Sequence, residues 1–169
     1  MTDQDRGARI ELYLLRHADA GDPATWEGPD EDRPLSPKGE KQSDRLGRFL
    51  AGIGFQPDAI IASPLVRARG TAGIVAGRLG VPVGIDERLG QEVNITVLER
   101  ILRDAGDPSR PVLVGHDPDF SSLVAVLCGA SGVPMKKGTL ARIDADRPLE
   151  PGGATLRWLV PPDLLRPAR

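Results

Sequence analysis

A single cysteine, Cys128, leaves this chain without an intramolecular disulfide and without a cysteine-rich zinc site. It directly follows the apolar run at 123–127, so packing is its expected role. No uninterrupted apolar stretch approaches the roughly 18 to 20 residues needed to cross a bilayer. Residues 1–9 are polar and lack the apolar centre of a signal peptide. These absences set a reducing, cytoplasmic location as the expectation, with no membrane partner. A basic excess is missing as well: the net charge is -2, which argues against a nucleic-acid partner bound through phosphate neutralisation. Lysine occurs only at Lys38, Lys41, Lys136 and Lys137. Arginine therefore carries most of the positive charge, and arginine makes forked contacts to phosphate that lysine cannot copy.

What is present suits one domain. With 169 residues, 40% of them hydrophobic and 27% charged, the chain can bury a core without staples. There is no internal repeat or low-complexity block. Residues 1–9 and 161–169 are expected to fray, being polar or proline-rich.

Between them, strand-like and helix-like segments alternate. Ile10-Glu11-Leu12-Tyr13-Leu14-Leu15 reads as a strand covered on both faces. Residues 18–35 lack periodicity and read as a long loop. Ser36-Pro37 opens a helix, with serine as cap and proline in the first helical position. Leu46, Phe49, Leu50 and Ile53 are its expected inner face. Ala59 to Ala62 is a second buried strand, and Ser63-Pro64 repeats the capping signal for a helix with Val66, Ile74, Val75 and Leu79 inward. Val81 to Ile85 is a third strand. A helix over 95–105 follows, with Leu98, Ile101, Leu102 and Ala105 inward. Pro111 to Gly115 is the fourth strand, and Asp117-Pro118 opens a helix burying Phe120, Leu123, Val124 and Leu127. Thr139 to Ile143 and Thr155 to Val160 close the sheet through a turn at Pro151-Gly152-Gly153. Such alternation specifies an α/β fold: a three-layer sandwich with a mostly parallel central sheet and helices on both faces.

Ligands of open α/β sheets collect at the carboxyl ends of the strands. The first strand delivers Arg16-His17 there, the second Ser63 to Arg67, and the fourth His116. These are the chain's two histidines. Each residue alone has an ordinary structural role: a packed histidine, a solvated arginine, or Arg16 capping a carbonyl or paired with an acid such as Asp19. Together, two imidazoles and two guanidinium groups on one edge suit phosphate chemistry, where catalysis is positioning plus charge stabilisation. Guanidinium forks hold phosphoryl oxygens. The cationic surroundings also disfavour a charged imidazole, keeping His17 able to attack phosphorus.

Leu14-Leu15-Arg16-His17-Ala18 resembles the Leu-x-Arg-His-Gly signature of the histidine phosphatase (phosphoglycerate mutase-like) superfamily. Ala62 to Ala72 is similar to its second motif and Val114 to Phe120 to its third. Arg33 to Gly39 and Met135 to Ala141 resemble the SixA-type phosphohistidine phosphatase branch. The resemblance implies a phosphoglycerate mutase-like fold and a metal-independent phosphatase with no cofactor. It makes His17 the phosphate acceptor, with Arg16, Arg67 and His116 binding the phosphate. Many relatives place a glutamate after the third strand, and Glu87 is the nearest match for a general acid, with Glu92 and Asp19 as alternatives. Ala18 stands where the family usually has glycine, and Gly70 where glutamine is common.

The expected substrate is a phosphohistidine-bearing signalling or phosphotransfer protein. The alternatives are a small phosphoester such as a sugar phosphate, and a phosphate-binding module without turnover. A metal cluster is poorly supported by two distant histidines, Ser63 lacks the G-x-S-x-G elbow, and Gly138-Thr139 lacks the lysine of a P-loop.

Overall fold

Successive side chains of a strand face opposite sides of its sheet, and the first strand, β1 (Arg9–Arg16), is apolar on both. Its Tyr13 and Leu15 join one hydrophobic cluster, while Ile10, Leu12 and Leu14 join another. Two helical layers are therefore needed to cover it. In the computed structural model, which describes residues 8–167, α1 (Pro37–Gly52) and α2 (Val66–Leu79) cover the first side through Leu46, Leu50, Ala68, Ala72 and Val75. The helices α3 (Ile95–Asp104) and α4 (Asp119–Cys128) cover the second through Leu98, Ile101, Phe120, Leu123 and Leu127. Each large aliphatic side chain fully removed from water contributes about 1.5 to 3 kcal/mol.

The remaining strands are β2 (Ala59–Ala62), β3 (Val83–Ile85), β4 (Pro111–Gly115), β5 (Leu140–Asp146) and β6 (Ala154–Val160). The sheet order is β3-β2-β4-β1-β5-β6. The four strands from β3 to β1 run parallel, and β5 and β6 add antiparallel pairings. The expected α/β sandwich is thus present, with β2, β4 and β1 adjacent and their carboxyl ends at one edge.

Several local expectations need correction. In α1 only Leu46 and Leu50 of the expected face are buried; Phe49 is 38% and Ile53 59% exposed. In α2 the buried stripe is built from small residues, Ala68, Ala72 and Ala76 with Val75, because α1 and α2 pack closely. A Cβ on Gly47 of α1 would come within 2.8 Å of Arg78 Cγ on α2. Ala105 is exposed just past α3. Strand β3 is shorter than expected, since it lies on the sheet edge and pairs only with β2. At the ends, residues 1–7 and 168–169 of the expected frayed segments lie outside the described residues, Arg9 already belongs to β1, and Pro162–Leu165 forms a 3-10 turn with Pro162 buried. The Cys128 side chain is partly buried, which raises its thiol pKa. Among the described residues, no helix is long and apolar enough to cross a membrane.

Candidate active site

The ends of β1 and β4 are hydrogen-bonded neighbours: Arg16 pairs in register with Gly115, and the His17 amide donates to the Gly115 carbonyl at 2.9 Å. This register sets His17 beside His116, with ring centroids 5.2 Å apart. Gly115 is required at the turn out of β4, because a Cβ there would lie 2.6 Å from the Phe120 ring. Arg67 comes from the first turn of α2, the helix that follows β2. His17 and Arg67 are both buried, at 6% and 7% exposure.

The four residues expected at the phosphate pocket therefore converge. Burial lowers the pKa of His17 from 6.5 to about 3, with positive charge on Arg67 and Arg16 acting in the same direction. Its Nδ1 lies 2.8 Å from the Ala18 carbonyl oxygen. A carbonyl only accepts, so Nδ1 carries the proton and Nε2 keeps a lone pair. Burial, then the charge of Arg67, lowers His116 to about 4. Arg16 Nε, Arg67 Nε and His116 Nδ1 are buried polar atoms without protein partners. Leaving such groups unsatisfied costs about 1 to 3 kcal/mol each, and an oxyanion is the ligand that two guanidinium groups most favour.

The sequence profile of the histidine phosphatase superfamily (branch 1) matches residues 12–117, more than half of the chain. The chain belongs to this superfamily. It is 37% identical over 129 residues to an uncharacterized protein of Picosynechococcus, covering 73% of this chain and 76% of that protein. It is 26% identical over 166 residues to the phosphohistidine phosphatase SixA of Escherichia coli, covering 95% and 99% of the two chains. A solved structure of the protein histidine phosphatase SixA complexed with tungstate superposes with a TM-score of 0.80 at 23% identity, covering 93% of this chain and all of that one. A mycobacterial glucosyl-3-phosphoglycerate phosphatase shares the fold with a TM-score of 0.65 at 18% identity, covering 88% and 97%.

The contacts made by four further parts of this histidine phosphatase site are not legible in the sequence. Thr71, fully buried on α2, accepts the Ala18 amide at 3.0 Å and donates to the Arg67 carbonyl at 2.8 Å. It ties the segment after His17 to the turn that carries Arg67. Ser63 does not cap α2, which begins three residues later and has Leu65 at its cap position. Its hydroxyl instead accepts the Leu65 amide at 3.3 Å and lies 2.7 Å from His116 Nε2. The arrangement that satisfies all three groups has Ser63 donating to Nε2, which places the His116 proton on Nδ1, the unpartnered atom. The third part is Asp30, in a 3-10 turn of the long loop. Its backbone oxygen accepts from Arg67 Nη1 at 2.8 Å, and its carboxylate accepts from Arg67 Nη2 at 3.0 Å and Arg33 Nε at 3.0 Å. Asp30 thus anchors two nitrogens of the guanidinium and leaves Nε unpaired. The fourth is the main chain at 135–139. Arg16 Nη1 donates to the Met135 carbonyl at 2.6 Å and lies 3.5 Å from Asp117, not Asp19. The Gly138 amide is shared between the carbonyls of Arg16 and His17, and Gly138 holds a φ of 81° that favours glycine.

The two departures from the family pattern are accommodated. Ala18 is fully buried and does not have the positive φ that would require glycine. At Gly70 a Cβ would meet Leu35 at 3.2 Å, so glycine there lets the long loop pack onto α2.

None of the acid candidates forms a hydrogen bond or ion pair with His17. Glu87 is exposed in the 3-10 turn after β3 and forms no hydrogen bond or ion pair with the four pocket residues. Glu92 is also exposed. Asp19 accepts from Ser36 Oγ at 2.6 Å, and that bond holds its carboxyl below the usual range.

A buried and a partly buried neutral histidine make stability pH-dependent. Their pKa values are lower folded than the unfolded 6.5, so the unfolded chain binds more protons below that value. Stability therefore falls as pH drops from about 6.5 towards 4. Urea unfolding at pH 7 and pH 5 should show a loss of about 1 to 2 kcal/mol per histidine. The double variant His17→Asn/His116→Asn should flatten this dependence; an unchanged slope would refute it.

Proposed function

We propose that this chain is a metal-independent phosphatase that removes phosphate from phosphohistidine on a signalling or phosphotransfer protein. The observation that carries the reading is the His17 ring, held neutral with Nε2 free among Arg16, Arg67 and His116. In the first step, the Nε2 lone pair forms a bond to phosphorus as the substrate's P–N bond breaks, and the departing imidazole keeps that electron pair and gains a proton. Arg16, Arg67 and His116 Nδ1–H hold the charge spread over the phosphoryl oxygens. Water then attacks the phosphorus of phospho-His17, releasing inorganic phosphate and restoring the neutral ring.

The protonation states support phosphohistidine over an alkyl ester. Asp19 is held charged by Ser36, and Asp30 by Arg33 and then Arg67, so neither is a ready proton donor. A P–N bond breaks more readily than an alkyl phosphate ester and places less demand on a general acid. Glu87, exposed after β3, is the donor proposed for the leaving group, with Glu92 as the alternative. The SixA structure is a complex with tungstate, a tetrahedral oxyanion, which supports oxyanion binding by this fold. The second reading, a small phosphoester, draws on neighbours such as the glucosyl-3-phosphoglycerate phosphatase.

Comparing kcat/KM for a phosphohistidine protein with that for a sugar phosphate tests the choice. A preference of about 100-fold or more for phosphohistidine is expected, equivalent to about 2.7 kcal/mol of transition-state discrimination. Equal values, or a preference for the ester, would overturn the assignment.

A further inference from the structure

All four lysines of the chain meet on one side of the phosphate pocket. Lys38 and Lys41 lie on α1, and Lys136 and Lys137 lie in the segment whose main chain holds Arg16 and His17. Arg45 and Arg166 complete the set. These six cations line two adjoining hollows of about 400 Å³ each, against two carboxylates, Asp19 and Asp163. The hollow nearer the pocket has Arg16 in its wall and so opens onto the site. Lys137 is 3.9 Å from Asp19, while Lys136 and Arg166 share Asp163. Among the described residues, Lys38, Lys41 and Arg45 form no ion pair. A groove with this excess of positive charge contrasts with the net charge of -2 on the whole chain.

We propose that this groove is the docking surface for an acidic face of the protein that presents the phosphohistidine. The proposal rests on the phosphohistidine reading above and adds where the partner sits. Lys38, Lys41 and Arg45 follow one face of α1 at intervals of three and four residues, which extends the positive charge about 10 Å along the helix. The chemistry of the cations points the same way. Lys38, Lys41 and Lys136 are exposed, and a lysine ammonium is a hydrated point charge on a flexible stem. Such charges attract an acidic surface at a distance and suit many orientations, whereas a fixed second phosphate would call for buried forks. Attraction of this kind raises encounter rates by about 10- to 1000-fold and weakens with salt.

The test uses two synthetic phosphohistidine peptides, one flanked by glutamates and one by glutamines, with phosphoramidate as the small substrate. At low ionic strength kcat/KM should be about tenfold higher for the glutamate peptide, and the advantage should shrink as sodium chloride is added. In Lys38→Gln/Lys41→Gln/Arg45→Gln the two peptides should become equivalent, while phosphoramidate turnover stays at the parent value. Cleavage of both peptides at equal rates by the parent, or an advantage that survives the triple substitution, would overturn the docking surface and leave the phosphohistidine reading standing. Failure to cleave either peptide, with sugar phosphate still hydrolysed, would overturn both. An equal loss on phosphoramidate would assign the three cations to a small-anion subsite and also overturn the docking surface.

Discussion

His17→Ala is expected to retain less than about 1% of parental phosphatase turnover. Every charged group at the pocket would remain in place, so phosphate should still bind. What disappears is the lone pair at Nε2. Water in the vacated space lacks the position that the β1 turn gives the ring, and a positioned nucleophile supplies several kcal/mol of the barrier reduction. Folding should be little affected, because the ring's one recorded hydrogen bond is to the adjacent Ala18 carbonyl. A urea midpoint close to that of the parent would confirm that the loss is chemical. Residual turnover well above 1% in a folded variant would show that another group attacks phosphorus.

Arg67→Ala should lower kcat/KM by about 100-fold or more, the effect of removing a preorganised donor from a developing oxyanion. Arg67→Lys should recover only part of this. Lysine restores the charge but not the planar fork, and it cannot engage the Asp30 main-chain oxygen and carboxylate with two separate nitrogens. Asp30→Ala should cost about tenfold, because it releases the guanidinium without removing it. Steady-state kinetics on the three variants would give the order Ala, then Lys, then Asp30→Ala from most to least impaired. A near-parental Arg67→Ala would separate this arginine from the transferring phosphate.

The four pocket residues were legible because each follows a short buried strand or opens the helix after one, and parallel sheets gather those positions. The supports around them were not. Asp30 lies in a loop without periodicity, and its partner Arg67 is far along the chain; only the folded loop brings them together. Ser63 before Pro64 carries a strong local capping signal, yet its hydroxyl is taken up by His116, a residue 53 positions away. The inner face of α2 was misread for a different reason. The large apolar residues Ile74 and Leu79 suggest one face, while the buried stripe is Ala68, Ala72, Val75 and Ala76, where small side chains and Gly47 let α1 approach closely. Ile53 likewise fits the apolar pattern of α1 but sits just past its carboxyl end, beyond Leu50, the last buried residue of the helix. The fold class survived these local errors, since it depends on the alternation of segments and not on any one face.

The central claim is that phosphate passes through His17. Rapid acid-free quenching of the enzyme mixed with radiolabelled phosphohistidine protein should capture label on the enzyme. That label should be lost in acid, stable in alkali and confined to Nε2 of His17. Its appearance in the His17→Ala variant, or acid-stable label on any other side chain of the parent, would contradict the account.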